Sequence, residues 1–288
     1  MEYVIKKISE NDKDFPNCLR TIPSRPKEIY LRGDLDLARP AVAIVGSRIP
    51  SAYGKQAVHD IAAGLVRAGV SIVSGMAPGI DTLAHQTALE GGGQTIGVLG
   101  TGLDEKSFFP KPNLDLAKKI VDTGGCLLSE YPPGFNATRY SFPQRNRIIA
   151  GLSLAILVVE AKEKSGSLYT AEAGRKQHKA VFAVPGSIYS ASSAGCNQLL
   201  KQYARPATEA RDILDFLGIA PAITKAKPAT DNPNEQKIID ALASGAMDID
   251  EIILATGMAA PTVMSLIPIM EINGLIKKIE LNTYSLCN

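Results

Sequence analysis

Short apolar runs that end in glycine alternate with helical stretches between residues 41 and 186, and this alternation restricts the possible folds more than any other feature. The first run, residues 41–45, has five apolar residues without a polar break and stops at Gly46. Such a run is typical of a strand buried on both faces. Strands separated by helices imply right-handed βαβ units, so the sequence predicts an α/β fold with a Rossmann-like, doubly wound, mostly parallel sheet. The further predicted strands are residues 70–73, 95–99, 126–128, 154–159 and 180–184.

Changes in composition along the chain predict four segments. Residues 1–40, broken by proline and glycine, are expected to be an N-terminal extension packed on the main domain of residues 41–218. Residues 219–233 are rich in proline, alanine, lysine and threonine, which predicts a linker. Residues 234–288 have three helical stretches followed by two short strands, the order of a small C-terminal winged-helix domain.

Composition narrows the possible locations and ligands. The first residues lack an apolar signal core and no long uncharged apolar run follows, so we expect a cytoplasmic protein without membrane contact. The four cysteines and three histidines show no metal spacing, so we expect reduced, structural thiols and no metal site. The net charge is only +2, so a nucleic-acid site must be a local patch.

Small, polar and basic residues stand where the predicted strands end. Ligands of open α/β sheets bind at this edge, and glycine-rich turns before helices present free N–H groups to phosphate. On residues 41–48 alone, a plain turn and a phosphate site in which Arg48 binds the anion remain equally open. The candidate phosphate-binding residues are Gly46, Ser47, Arg48, Gly75, Gly79, Gly100, Lys164, Ser165, Gly166 and Ser167. No G-x-G-x-x-G pattern follows a strand, so the dinucleotide-binding fingerprint is absent. Gly54-Lys55 lies too far from Gly46 for a phosphate loop, and Gln56 replaces the serine or threonine that would hold magnesium, which argues against a nucleoside triphosphatase.

Arginine and aromatic residues alternate within residues 139–147, a composition suited to single-stranded nucleic acid. Arg145 and Arg147 fall near the start of a predicted helix, where the helix dipole disfavours cations and favours an anionic partner. We expect one of them to form an internal ion pair and at least one to face the ligand. The candidate binding residues here are Arg139, Phe142, Arg145, Asn146 and Arg147.

Two other charged patterns leave alternatives open. Lys162 and Lys164 precede a Ser-Gly-Ser turn and belong either to an anion site or to a solvated loop. Asp81 and His85 lie four residues apart on one predicted helix. They could act as an acid–base pair, but no nucleophile motif accompanies them, so a structural role is favoured.

The predicted winged helix is acidic. Residues 234–288 carry seven acidic and three basic residues, a net charge of −4, which leaves +6 for the rest of the chain. The candidate recognition helix, residues 261–270, has no basic residue. We therefore expect this domain not to bind DNA. Its apolar residues should form mostly its own core, and any left exposed would suit a protein partner. That apolar set is Met258, Met264, Ile267, Ile269 and Met270.

Several motifs in order resemble the DNA processing protein A family, also named DprA or Smf. The motifs are Ala-Ile-Val-Gly-Ser-Arg at 43–48, Ser-Gly-Met-Ala-x-Gly-Ile-Asp-x-x-Ala-His at 74–85, Ser-Glu-Tyr-Pro-Pro-Gly at 129–134, Phe-Pro-Gln-Arg-Asn-Arg-Ile-Ile-Ala-Gly at 142–151, Ser-Gly-Ser-Leu-x-Thr-Ala at 165–171, Phe-Ala-Val-Pro-Gly at 182–186 and Gly-Cys-Asn at 195–197, which adds Asn197 to the candidate DNA-binding residues. The resemblance implies a dimeric, non-catalytic protein without a cofactor that binds single-stranded DNA. It also implies that the protein protects incoming DNA and loads the RecA recombinase during natural transformation. One departure is Pro78, which stands where the family usually has an arginine.

Two other function classes remain as alternatives. Rossmann-like enzymes that hydrolyse nucleoside monophosphates carry a glycine-rich loop and a helix-borne glutamate, for which Glu172 is the candidate. A transcription regulator acting through the winged helix is the second alternative, and the acidic charge of that domain argues against it.

Overall fold

The structure, a computed structural model, describes residues 4–220, 230, 232–242, 245–280 and 282–286. The chain divides into two compact units, Met1–Ala222 and Ile223–Asn288, each with a hydrophobic core of its own. Most of the predicted linker at residues 219–233 lies outside the described residues.

A nine-stranded sheet runs through the first unit, in the order β1-β2-β6-β5-β4-β3-β7-β8-β9. Neighbouring strands from β6 to β9 across the sheet pair in parallel, whereas β1 with β2 and β2 with β6 pair antiparallel. This confirms the predicted doubly wound, mostly parallel sheet. The strands are β1 (Lys6–Ser9), β2 (Glu28–Gly33), β3 (Ala41–Gly46), β4 (Ser71–Ser74), β5 (Thr95–Leu99), β6 (Cys126–Ser129), β7 (Ala155–Val159), β8 (Ala180–Ala183) and β9 (Arg205–Pro206).

The order of the strands reverses between β3 and β7. From β3 the chain steps to β4, β5 and β6 on one side, and then returns to place β7 against the other side of β3. In doubly wound sheets, the crevice at the carboxyl ends of the two strands that flank such a reversal is the usual ligand site.

Helices cover both faces of the sheet. The uninterrupted apolar run of β3 is explained by these two layers, because Ala43 and Val45 belong to the core on one face and Val42 and Ile44 to the core on the other. The helices of this unit are α1 (Asn17–Arg20), α2 (Ala52–Arg67), α3 (Ile80–Glu90), α4 (Leu114–Asp122), α5 (Ser141–Gly151), α6 (Ser167–Lys176), α7 (Ala194–Gln202) and α8 (Ala210–Leu217).

The first 40 residues, expected to pack on the main domain as an extension, contribute two strands to its sheet. β2 pairs with β6 through Tyr30 opposite Ser129 and Leu31 opposite Leu128, and β1 continues the sheet beyond β2. The buried part of β2 is too short to be recognised as an apolar run in the sequence, because it lies between Pro26 and Gly33.

The second unit is a winged helix, as predicted. Its helices α9 (Pro233–Leu242), α10 (Ile249–Thr256) and α11 (Ala260–Ile272) pack on a three-stranded sheet in the order β10-β12-β11, with β10 (Met247–Asp248), β11 (Ile276–Glu280) and β12 (Thr283–Leu286). Ile267 and Met270 lie in its core and Met258 is partly buried against it. Met264 and Ile269 are exposed, so the apolar set divides between core and surface.

Within the described part of the chain, no single helix is long and apolar enough to cross a membrane. α10 and α11 reach that length and composition only together, and they meet at an angle of 116°.

His85 connects α3 to the sheet from a fully buried position. Its Nδ1 lies 2.6 Å from the Thr95 hydroxyl, which itself donates to the Ile72 carbonyl at 2.8 Å. Its Nε2 has no hydrogen-bond partner among the described residues. Burial, reinforced by the positive charge of Arg145, lowers the pKa of His85 to about 3, so this imidazole stays neutral in the folded protein.

His85 should therefore make the folded unit sensitive to acid. Its folded pKa of about 3 lies below the unfolded value of 6.5, so the unfolded chain takes up the proton first as the pH falls through that window. From this group alone, the free energy of unfolding should fall by about 2 kcal/mol between about pH 7 and about pH 5. Urea denaturation at both pH values measures the free energy of unfolding. Its decrease from about pH 7 to about pH 5 should be smaller in His85→Asn than in the parent by this amount. Equal decreases in the parent and the variant would contradict the assignment.

Candidate functional site

A cavity of about 290 Å³ opens next to the reversal of strand order, between the carboxyl end of β3 and the turn that leads from β7 into α6. Residues at the end of β3, on α5 and at the start of α6 form its walls. The lining residues are Val45, Gly46, Arg48, Ala77, Asp81, Arg139, Phe142, Pro143, Arg145, Asn146, Ile149, Ser165, Gly166, Ser167, Tyr169 and Thr170.

Arg48 stands at this cavity on a backbone turn that its neighbours hold closely. The Ser47 carbonyl accepts the Ile80 N–H at 3.0 Å, and the Ser47 hydroxyl accepts the Ile49 N–H at 3.2 Å. Gly79, with a φ of +84°, passes so near the Arg48 backbone that a Cβ there would lie 2.7 Å from the Arg48 carbonyl oxygen. The Arg48 side chain is exposed and forms no hydrogen bond or ion pair with any residue that the structure describes. The turn thus presents an unpaired cation at the cavity.

Arg145 forms part of the cavity floor and is buried. Its guanidinium donates to the Gly75 carbonyl at 2.5 Å and to the Val98 carbonyl. A Cβ on Gly75 would lie 2.7 Å from that guanidinium, so only glycine leaves room for it. Burial lowers the pKa of Arg145 to about 10, and the charge of Asp81 opposes this shift. The arrangement makes Arg145 a support of the floor.

Asp81, at the start of α3, fixes the neighbouring backbone. Its carboxylate accepts the N–H groups of Gly75 at 3.0 Å and Ala77 at 3.3 Å. Burial raises the pKa of this carboxyl, while the charge of Arg145 and the two N–H donors lower it. Asp81 and His85 therefore each bond to the strand ends, which agrees with the structural role that the sequence favoured.

Arg147 points away from the cavity. Its guanidinium forms two hydrogen bonds with the Glu130 carboxylate, at 2.5 and 2.6 Å, in a half-buried ion pair. Both arginines of the motif are thus engaged inside the protein, one by carbonyls and one by a carboxylate. Nothing in the sequence pattern indicated Glu130 as the partner, because that residue follows β6, far from Arg147 in the chain.

Aromatic side chains and Arg139 form the outer wall. Phe142 packs over Gly100, where a Cβ would lie 3.0 Å from the ring, and its ring lies 5.9 Å from that of exposed Phe109. Arg139 is exposed and rests its guanidinium 4.6 Å from the centre of the Tyr140 ring. This wall therefore combines a cation with aromatic faces that solvent can reach.

The N-terminal end of α6 closes the opposite side. The Ser165 and Ser167 hydroxyls lie 2.8 Å apart, and Asn146 donates to the Gly166 carbonyl at 3.3 Å, which ties α5 to this turn. The partial positive charge at a helix N-terminus favours an anion in front of it. Lys164 is exposed in the preceding loop and does not line the cavity.

The structure brings nine of the predicted residues to the cavity wall. They are Gly46, Arg48, Arg139, Phe142, Arg145, Asn146, Ser165, Gly166 and Ser167. Gly75, Gly79 and Gly100 lie directly behind it. Asn197 lies elsewhere, where its side chain bonds to both the N–H and the carbonyl of Gly186, at 3.3 and 3.0 Å. Tyr169 is exposed at the wall and was not predicted, although its place in the first turn after the Ser-Gly-Ser motif could have indicated it.

Glu172, the candidate catalyst of the enzyme alternative, does not line the cavity. Its carboxylate receives two hydrogen bonds of 2.8 Å from Arg175. This ion pair lowers the pKa of Glu172, so the group is poorly placed for proton transfer at the cavity.

The Arg145 side chain should stabilise the folded protein, whereas the Arg48 side chain should not. Replacing Arg145 by alanine removes the donor to two carbonyl oxygens and opens a buried hole, which should lower the free energy of unfolding by about 3 kcal/mol. Arg48→Ala removes an exposed side chain and should change it by less than about 0.5 kcal/mol. Urea denaturation of both variants measures the difference, and an Arg145→Ala protein as stable as the parent would contradict this role.

A family model matches each of the two units. A model of the family described as DNA recombination-mediator protein A matches residues 6–218, and a model of the DprA winged helix domain matches residues 222–279.

Individual relatives are similar over much of the chain. DNA processing protein DprA from Streptococcus pneumoniae is 45% identical over 204 residues, which are 70% of this chain and 71% of the relative. The DprA of Bacillus subtilis is 40% identical over 218 residues, 75% of this chain and 72% of the relative. Protein Smf from Synechocystis is 40% identical over 237 residues, and the match spans 81% of this chain but only 57% of Smf.

Two solved structures resemble the chain. The X-ray structure of the S. pneumoniae protein has a TM-score of 0.69 with 43% identity, over 73% of this chain and 74% of its own. A structure described for the single-stranded DNA binding mode of DNA processing protein A from Helicobacter pylori has a TM-score of 0.67 with 30% identity, over 75% of this chain and 96% of its own. Together with the two family models, these similarities show that the chain belongs to the DNA recombination-mediator protein A family, whose members are named DprA and Smf.

Proposed function

We propose that this protein binds single-stranded DNA at the cavity between β3 and β7, along the carboxyl edge of its parallel strands. The observation that carries the proposal is the exposed Arg48, which has no partner in the described part of the chain. A cation held unpaired on a fixed turn is available to a phosphate without first breaking an internal bond.

The rest of the cavity supports a polynucleotide rather than a single anion. Arg139 supplies a second exposed cation, and the start of α6 supplies a third place favourable to negative charge. Phe142 lines the same space, so a base can meet its ring while neighbouring phosphates meet the cations. Bases that are already paired keep their faces stacked within a duplex, so the aromatic wall favours a single strand. In this proposal Arg145 supports the floor of the site, Arg147 and Asn197 lie away from the cavity, and none of the three touches the DNA.

The protein is proposed to present the strand and not to cut it. The acidic residues near the cavity are held in internal contacts: Asp81 by backbone N–H groups and Glu172 by Arg175. Together with family membership, this supports a non-catalytic recombination mediator. Its proposed activity is to protect incoming DNA and load the RecA recombinase during natural transformation, as a cytoplasmic homodimer.

The winged helix is proposed to take no part in holding the strand. Residues 234–288 have a net charge of −4, which would repel phosphates. The exposed apolar side chains on its helices include Leu254, Met264 and Ile272, which offer no charge to a phosphate.

Removing the Arg48 side chain should weaken binding of all single-stranded sequences alike. Because the variant neutralises one phosphate fewer, the slope of log K against log salt should become shallower by about 0.7. Arg67→Ala is the matched control, since it removes one exposed arginine from the C-terminal end of α2, on the side of the sheet where the parallel strands begin. Fluorescence anisotropy of labelled oligothymidine over a salt series measures both. The proposal is wrong if folded Arg48→Ala binds like the Arg67→Ala control.

A chain that stops near residue 220 should keep its affinity for single-stranded DNA within about twofold, because the acidic second unit contributes no phosphate contact. The same anisotropy titration tests this expectation. A protein that binds far more weakly after this truncation would place part of the DNA-binding surface on the winged helix.

A further inference from the structure

Four large apolar or aromatic side chains are exposed to solvent on two segments, one between β3 and the first turn of α2 and the other after β8. Ile49 is 89% exposed, Tyr53 52%, Ile188 81% and Tyr189 93%. We name these four residues the Tyr189 platform. Ile49 and Tyr53 belong to the segment that also carries Arg48, and Ile188 and Tyr189 belong to the loop that follows β8.

One direct hydrogen bond and a shared acceptor, Glu160, join the two segments. The Tyr53 hydroxyl donates to the Pro185 carbonyl at 2.6 Å. The buried Glu160 carboxylate, at the end of β7, accepts the Ser51 N–H at 2.8 Å, the Ser51 hydroxyl at 2.6 Å and the Ser192 hydroxyl at 2.9 Å. The same segment that places Arg48 at the cavity is thus fixed to the loop that carries Tyr189, so the platform continues the surface on which Arg48 stands.

The loop after β8 is itself held in one shape. The Ser190 N–H donates to the Ser187 carbonyl at 3.1 Å, and the Tyr189 N–H donates to the Ser187 hydroxyl at 3.2 Å. At its base, the Asn197 side chain bonds to both polar backbone groups of Gly186. The ring of Tyr189 is therefore displayed on an ordered loop, so a ligand that stacks on it need not first order the backbone.

A neighbouring charge indicates which occupant this surface fits. Exposed apolar groups gathered at one place mark a binding surface. Here the surface shares its backbone segment with an arginine that is unpaired among the described residues, and exposed Lys162 lies on the loop between Glu160 and α6. Aromatic rings that alternate with cations suit bases and phosphates of a single strand, whereas a protein partner would need only the apolar part.

We propose that the Tyr189 platform is a second base-stacking site, which takes the nucleobases of a single strand after its phosphate has passed Arg48. The inference rests on the proposed function and extends the DNA-binding surface from the cavity to the segments after β3 and β8. A strand long enough to cover both sites should gain affinity from Tyr189, and a strand that fills only the cavity should not.

Oligothymidines of two lengths, about 4 and about 16 nucleotides, test this directly by anisotropy. Tyr189→Ala should weaken binding of the longer strand about fivefold or more and leave the shorter strand unchanged. Tyr189→Phe, which keeps the ring, should retain the parent affinity, and Tyr189→Leu should not. Leu154→Ala is the control, because Leu154 is an exposed apolar residue at the amino ends of the strands.

The absence of tryptophan from the sequence allows a second, direct readout. In Tyr189→Trp the new indole is the only one, and stacking of thymine bases should quench its fluorescence on addition of the longer strand. In Leu154→Trp the indole lies at the amino ends of the strands, and its fluorescence should not change when the strand is added.

The inference is overturned if Tyr189→Ala binds both lengths like the parent, or if the indole at 189 is not quenched while the strand binds. Equal affinities with a change of oligomeric state in Tyr189→Ala would overturn it too, and would make the platform a protein contact. These outcomes differ from failure of the proposed function, in which neither length binds the parent or Arg48→Ala has no effect.

Discussion

The position of the Arg145 guanidinium determines how the rest of the cavity can be built. It bonds the carbonyl of Gly75, just after β4, and the carbonyl of Val98 in β5, so one side chain from α5 joins the ends of two strands. A buried cation is tolerated only where acceptors meet it, and here the backbone supplies them, with the charge of Asp81 nearby. Gly75 is required at this point because a side chain would occupy the place of the guanidinium. The Arg145 guanidinium is thus engaged by internal acceptors, whereas Arg48 and Arg139 are the exposed cations at the cavity.

Local pattern was enough to predict the parallel part of the fold and the edge where the cavity lies. Each apolar run, in β3 and in β7, is followed directly by the residues of its own turn. The strand and the turn at its carboxyl end can therefore be predicted from neighbouring residues alone. The contacts made by Arg145, Arg147 and Glu160 could not be predicted in this way. Each joins residues that are distant in the chain, and a single sequence carries no signal for which carbonyl or carboxylate an arginine will meet. The strand β2 was not predicted because its buried run is short and lies between Pro26 and Gly33.

The same distinction applies to the two units. Charge could be counted from the sequence and already separated a basic main domain from an acidic winged helix. Which apolar residues of the winged helix are buried and which are exposed could not be predicted from the sequence. Ile267 and Met270 face the core while Met264 and Ile269 face solvent, and only the packing of α11 on its sheet decides which side is which. A hydrophobic residue every third or fourth position fixes a helix face, whereas α11 is apolar on nearly all sides.

The two edges of the nine-stranded sheet differ from its interior in a way that limits how copies of the chain can meet. At one edge, β1 displays the exposed side chains of Lys6 and Lys7. At the other, β9 is only two residues long and ends in Pro206, which has no N–H to offer. Short strands, lysines and proline at sheet edges discourage strand addition and the aggregation that follows from it. The same features make it unfavourable for the sheet of one copy to continue into the sheet of another.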